Sequence, residues 1–228
     1  MKQKLLEAIA EARRKERDLA ALCTDIPPDP SGTWRPQDHL AHLTWVREDE
    51  ATLIEAVSAG AGIPPEPAEG RGDRMYLAKR DQTPAEVIAA AERSWDRLES
   101  VIARCTEEDL RRDHPHRQGR RLVESSPGDH LGAHLMWCHL EAGHEEAAEA
   151  VQLWARELNN RVSDDPSTRA VATYNLACFY ARVARPADAL PLLHESFEAS
   201  PSLQDWARKD PDLDPIRDDP RVKELLAT

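Results

Sequence analysis

The residues best suited to chemistry are the histidines. The chain has nine, and six fall in two segments that read as helices: His39 and His42 in one, and His130, His134, His139 and His144 in the other. His130 and His134 are four apart, so on a helix they face the same way one turn apart. Two imidazoles at that spacing can share one divalent ion, and a third ligand from a facing helix would leave a coordination position open. A His-x3-His pair is weak on its own, because such pairs arise by chance and a buried histidine is usually just hydrogen-bonded core. A second histidine-bearing helix strengthens it. His139 points to the other side of its helix. His144 lies too far along the axis, at about 1.5 Å per residue, to share the site.

Which histidine of the earlier helix joins the pair is open. An inner face of Leu43, Val46, Glu50, Leu53, Ile54 and Val57 centres His39 better than His42. Leu40 widens the apolar stripe, so either ring can turn inward. Asp38, Asp49 and Glu50 lie close by in sequence. One can orient an imidazole, although surface charge is the commoner role.

The elements that would hold these rings are helices. Leu5, Leu6, Ile9, Ala12, Glu16, Leu19 and Leu22 approximate a helical stripe over residues 2–22. The prolines from Pro27 to Pro30 end it. Pro36 suits the first position of a second helix, which stops at Gly60. A Gly- and Pro-rich stretch around 60–74 reads as a long surface loop. Thr83-Pro84-Ala85-Glu86 is a capping-box start for a third helix, with Val87, Ile88, Ala91, Trp95, Leu98, Val101 and Ile102 on one face, ending near Cys105. A fourth, unusually long helix is expected from Ser126-Pro127 toward Val162, with Gly132 and Gly143 weakening it only modestly. No alternating β-branched run appears, so the expected class is all-α: a four-helix bundle over 1–162.

After Pro166 the pattern changes. With a register starting at Ala170, Asn175, Leu176, Ala177, Tyr180, Ala189 and Pro201 fit the tetratricopeptide template, and Arg185-Pro186 fits its bend. Thr173, Leu193 and Ser196 depart from the common choices. A single repeat must pack on something else. Residues 167–228 therefore read as a tetratricopeptide-like helical hairpin with short terminal helices, with Leu176, Tyr180, Ala189 and Trp206 largely buried. Such a region serves either as a structural cap or as a docking surface for a protein partner.

The 228-residue chain carries a net charge of −12 and is 32% charged and 5% aromatic. That balance argues against a general phosphate-backbone binder, so no nucleic-acid partner is expected. Arg71, Arg74, Arg80, Arg111, Arg112, Arg117, Arg120 and Arg121 make the middle locally basic and read mostly as solvated. No apolar stretch is long enough for a membrane span. The start, MKQKLLEAIAEARRKERDL, lacks a leader's apolar segment, so the expected location is the cytoplasm. Cys23, Cys105, Cys138 and Cys178 lack paired spacing and read as buried thiols. No Gly-rich phosphate loop, Gly-x-Ser-x-Gly elbow or Cys-His nucleophile pattern occurs.

Trp34-Arg35-Pro36-Gln37-Asp38-His39-Leu40-Ala41-His42-Leu43 resembles the opening of helix two in the DinB/YfiT superfamily. His130-Leu131-Gly132-Ala133-His134 resembles its helix-four motif. Asp73 to Tyr76, Lys79 to Val87, Ser94 and Thr106 to Leu110 look most like the ClbS/DfsB branch. The resemblance spans roughly residues 1–155. It implies a bundle with His42, His130 and His134 as ligands of a divalent metal, usually zinc or nickel. It also implies a small-molecule substrate, electrophilic in character, met by a hydrolase or thiol transferase of detoxifying, self-resistance type. The family register favours His42 over His39. The alternative expectation is a non-catalytic binding or adaptor protein that docks a partner through the C-terminal repeat.

Overall fold

The computed structural model describes residues 1–29, 32–61, 79–112 and 127–227. Among them the secondary structure is entirely helical, with no strand. The chain divides into two compact units, Met1–His134 and Leu135–Thr228. The division falls within one helix. The linker between 162 and 167, read from the sequence as a boundary, lies inside the second unit.

The first unit contains α1 (Lys2–Leu22), α2 (Pro36–Ser58), α3 (Pro84–Arg104), a 3-10 turn (Asp109–Arg111) and the start of α4 (Asp129–Glu141). The α3 start follows its sequence signal. Thr83 Oγ1 accepts from the Glu86 amide, and the Glu86 carboxylate accepts from the Thr83 amide. This satisfies two of the donors a helix start leaves open. At α2, Pro36 follows Arg35, and Asp38 accepts from the Arg35 amide. Leu5, Ile9, Leu40, Ile54, Trp95 and Ile102 fill the core shared by α1, α2 and α3.

The inner face of α2 differs from the expected stripe. Leu40, Leu43, Thr44, Arg47, Ala51 and Ile54 are buried, whereas Val46, Glu50, Leu53 and Val57 are only half-buried. Arg47 turns inward because Glu16 of α1, also buried, meets it with both carboxylate oxygens at 2.5 and 2.9 Å. Trp95 Nε1 donates to the same carboxylate at 2.8 Å, and Arg47 Nε donates to Ser94 Oγ at 2.9 Å. Every donor of the guanidinium fork that points inward thus meets an acceptor, which is what makes a buried ion pair tolerable.

The second unit holds the end of α4, then α5 (Glu145–Val162), α6 (Pro166–Arg182), α7 (Pro186–Ala199), α8 (Ser202–Ala207), a 3-10 turn (Pro211–Ile216) and α9 (Pro220–Ala227). The single long helix expected up to Val162 is therefore two helices. Gly143 takes φ 74°, and the amides of His144 and Gly143 return to the carbonyls of His139 and Leu140 at 2.8 and 3.0 Å. That is a helix-ending glycine in the left-handed region, not a weak point in a continuing helix. Glu145 and Glu146 then open α5, where acidic side chains suit the positive helix end.

α6 and α7 form a tightly packed hairpin, and α6 also packs on α5. Leu176, Tyr180 and Ala189 are buried as expected, and Ala177 is buried beside them in the chain. Trp206 is not: it is 62% exposed. Its indole N–H donates to Asp210 at 3.0 Å, which tethers one edge of the ring and leaves the rest in solvent. Leu213, Ile216, Val222 and Leu226 close that end instead.

Candidate metal centre in the first unit

The entry to α2 is fixed before any histidine appears. Arg35 grips Asp38 through Nε and a terminal nitrogen at 2.8 and 2.9 Å, and its other nitrogen donates to the Ile26 carbonyl at 2.7 Å. Asp38 is thus buried and committed to Arg35; it neither decorates the surface nor orients a ring. This clamp seats Trp34 against the histidines. Its ring centroid lies 5.2 Å from His39, 5.3 Å from His42 and 6.0 Å from His134, nearly parallel to the last at 7°.

Three rings meet there. His42, His130 and His134 each offer one nitrogen within 4.8 Å of the other two. His42 Nε2 lies 3.3 Å from His130 Nε2, and His134 Nε2 lies 2.9 Å from His130 Nε2. An ion with imidazole ligands at about 2.0–2.1 Å holds its nitrogens roughly 3.3 Å apart. Three imidazole nitrogens are donors of the type that suits a divalent cation, and the His42–His130 separation matches that spacing.

His39 is also part of the cluster, one step back. Its Nδ1 lies 2.7 Å from His134 Nδ1, on the side of that ring facing away from His130. The sequence left His39 and His42 as alternatives. They are three apart, both turn inward, and they take different places.

Burial favours the neutral form of His39, His42 and His134. It pushes His39 down to about 4, against the pull of Asp38, and lowers His42 as well. His134 lies well below the ordinary histidine range, through burial first and the neighbouring imidazoles second. A neutral imidazole is the ligating form. His39 Nε2 and His42 Nδ1 are buried without a hydrogen-bond partner, so the cluster's hydrogen bonding is incomplete.

His130 also lines a cavity of about 40 Å³, whose walls include Leu5, Ile9, Leu43, Leu98 and Trp95. Arg47 and Glu50 form its polar side. Sequence reading placed Glu16 on the stripe of the first helix but missed Arg47 and the pairing of the two. The signal was present, since each interrupts an apolar stripe, but their partnership spans two helices.

Of the basic residues noted in the middle of the chain, Arg111 and Arg112 are exposed and Arg80 is half-buried. Arg71, Arg74, Arg117, Arg120 and Arg121 lie outside the described residues, as does the Asp73–Tyr76 stretch of the resemblance. His139 lies in the second unit, 6.3 Å from His144. None of the four cysteines forms a disulfide; Cys105, Cys138 and Cys178 are buried and Cys23 is half-buried. No helix among the described residues is long and apolar enough to cross a membrane.

A second set of ligand-type atoms occurs in the second unit, where Cys178, Asp210 and Asp212 come within 4.8 Å of one another. These atoms are already used. Asp210 accepts from Tyr174 OH at 2.8 Å, Trp206 Nε1 at 3.0 Å and the Asp212 amide at 3.0 Å. Arg182 pairs with Asp212 and would repel a cation. Burial and Asp210 hold the Cys178 thiol well above its ordinary value.

No protein-family model, no curated protein and no solved structure matches this chain.

Proposed function

We propose that the first unit is a DinB-like, metal-dependent site acting on a small electrophilic molecule, as a detoxifying hydrolase or thiol transferase. The observation that carries this reading is the convergence of three imidazole nitrogens beside a cavity that His130 lines. His42, His130 and His134 would hold the ion. Bound there, a divalent metal supplies Lewis acidity toward an electrophile. The protein's own contribution is shape and polarity. Leu5, Ile9, Leu43 and Leu98 give an apolar wall that excludes water and suits a compact, weakly polar substrate. Trp34 packs over the imidazoles and restricts their motion. Glu16 fixes the Arg47 guanidinium and neutralises it, so the cavity favours a neutral substrate over an anionic one.

The test is turnover of simple electrophiles, an activated ester and an epoxide, by zinc- or nickel-supplemented protein with and without a small thiol. Wild-type protein should accelerate at least one, and His134→Ala should lose that rate while keeping its helical spectrum. Equal rates for the two proteins would remove the assignment.

A second reading has its own observation. Trp206 and Leu153, both in the second unit, are large apolar side chains left exposed at 62% and 46%, and the α6–α7 hairpin carries the tetratricopeptide-like register. In that reading the second unit docks a protein partner. Pull-down with wild-type chain against Trp206→Ser, showing a partner lost with the indole, would support it; an unchanged partner set would not.

A further inference from the structure

We infer that His39 is a positioning residue for the three-histidine centre: it decides which nitrogen of His134 faces the metal. The inference rests on the metal reading above and deepens it.

A neutral imidazole carries one proton, so one ring nitrogen donates and the other accepts. His134 has a neighbour on each side, His39 Nδ1 at 2.7 Å from its Nδ1 and His130 Nε2 at 2.9 Å from its Nε2. Two arrangements follow. With its proton on Nε2, His134 donates toward His130 and its lone pair faces His39, so no lone pair is free for a cation. With its proton on Nδ1, it donates to His39 Nδ1 and presents the Nε2 lone pair to the centre. Only the second is competent to bind.

The competent arrangement requires His39 to accept at Nδ1, which places its own proton on Nε2. That nitrogen is buried and has no hydrogen-bond partner, so the arrangement carries the cost of an unsatisfied buried N–H. Metal loading favours it all the same, because a cation and a proton cannot share His134 Nε2. Loading therefore reverses the direction of the His39–His134 hydrogen bond. A metal-bound histidine commonly donates its second N–H to a carboxylate or carbonyl. Here Asp38, next to His39 in the sequence, is held by Arg35, and the neighbour of His134 Nδ1 is an imidazole. His42, whose Nδ1 has no partner, lacks such support.

The experiment is competitive zinc titration of the metal-free full-length chain, comparing wild type with His39→Phe and His39→Asn. Asparagine can place an amide oxygen near the former Nδ1; phenylalanine cannot accept at all. Loss of such an outer partner typically weakens metal affinity about 10–100-fold. His39→Phe should fall in that range with one site retained, and His39→Asn should stay within about threefold of wild type. Wild-type affinity in a folded His39→Phe protein would overturn the inference and leave the metal site standing, as would a His39→Asn protein as weak as His39→Phe. If wild type itself takes up no zinc, the metal reading falls and this inference with it. Should His39→Phe not fold, long-range proton–nitrogen NMR of zinc-loaded wild type decides. Protons on His134 Nδ1 and His39 Nε2 are expected, and the opposite tautomer at either ring contradicts the proposal.

Discussion

Each unit holds a cluster of ligand-type atoms, half-buried in the first and largely buried in the second, and the two differ in what those atoms do. In the second unit, Asp210 serves Tyr174, Trp206 and the Asp212 amide, while Asp212 meets Arg182. In the first unit, three imidazole nitrogens lie within 4.8 Å of one another, and two other ring nitrogens of the cluster have no partner. Proximity of metal-type residues does not separate the two clusters; the use of the ligand atoms does, since the carboxylates of Asp210 and Asp212 already accept from protein donors, even though Arg182 Nε is itself buried without a partner. Saturated donors and acceptors hold a fold together. Buried ring nitrogens without a partner cost stability, and such exceptions call for an explanation.

The comparison breaks most visibly at Asp210. Asp210→Ala leaves the buried Tyr174 hydroxyl without its acceptor and frees the Trp206 ring. It should cost roughly 3 kcal/mol, read as a lower denaturation midpoint, with metal uptake unchanged. Stability near wild type would mean the second cluster is not structural.

Acid should act on the first cluster. His39 titrates near 4 in the fold and near 6.5 once unfolded. Between those values the unfolded chain binds more protons, so stability is complete above about pH 6.5 and falls as pH drops toward 4. For the metal-free protein, His39 alone should account for a loss of about 2 kcal/mol by pH 5, with His42 and His134 adding in the same direction. His39→Phe should flatten this dependence. A denaturation midpoint constant from pH 7 to 5 would contradict the burial of neutral rings.

The smallest effect concerns the hairpin of the second unit. Ala184 sits at φ 55° between α6 and α7, a conformation that costs a side chain about 1 kcal/mol or more and costs glycine little. Ala184→Gly should therefore stabilise the protein by up to about 1 kcal/mol. Destabilisation on thermal melting would show that the turn does not need left-handed backbone.

Much of this was legible in the sequence where local chemistry decides structure. Pro36 and the Thr83–Glu86 capping box mark helix starts because they act within one turn. The His130/His134 spacing fixes a shared face by helix geometry alone. What escaped depends on partners distant in the chain. Gly143 looked tolerable inside a helix, and only its left-handed backbone reveals an end. Arg47 stands outside the expected inner face until Glu16 is found opposite it, and Trp206 reads as core until its tether to Asp210 leaves the ring outside. His39 and His42 looked like rivals because periodicity places both near the inner face. It cannot show that one ring stands behind His134 while the other stands beside it.

The central claim is that His42, His130 and His134 hold one divalent ion. The most direct measurement is metal content per chain, by elemental analysis, after zinc or nickel loading and gel filtration of wild type, His134→Ala and Cys178→Ser. The account predicts one equivalent in wild type and in Cys178→Ser, and none in His134→Ala. An empty wild type, or a full equivalent retained by a folded His134→Ala protein, would contradict it.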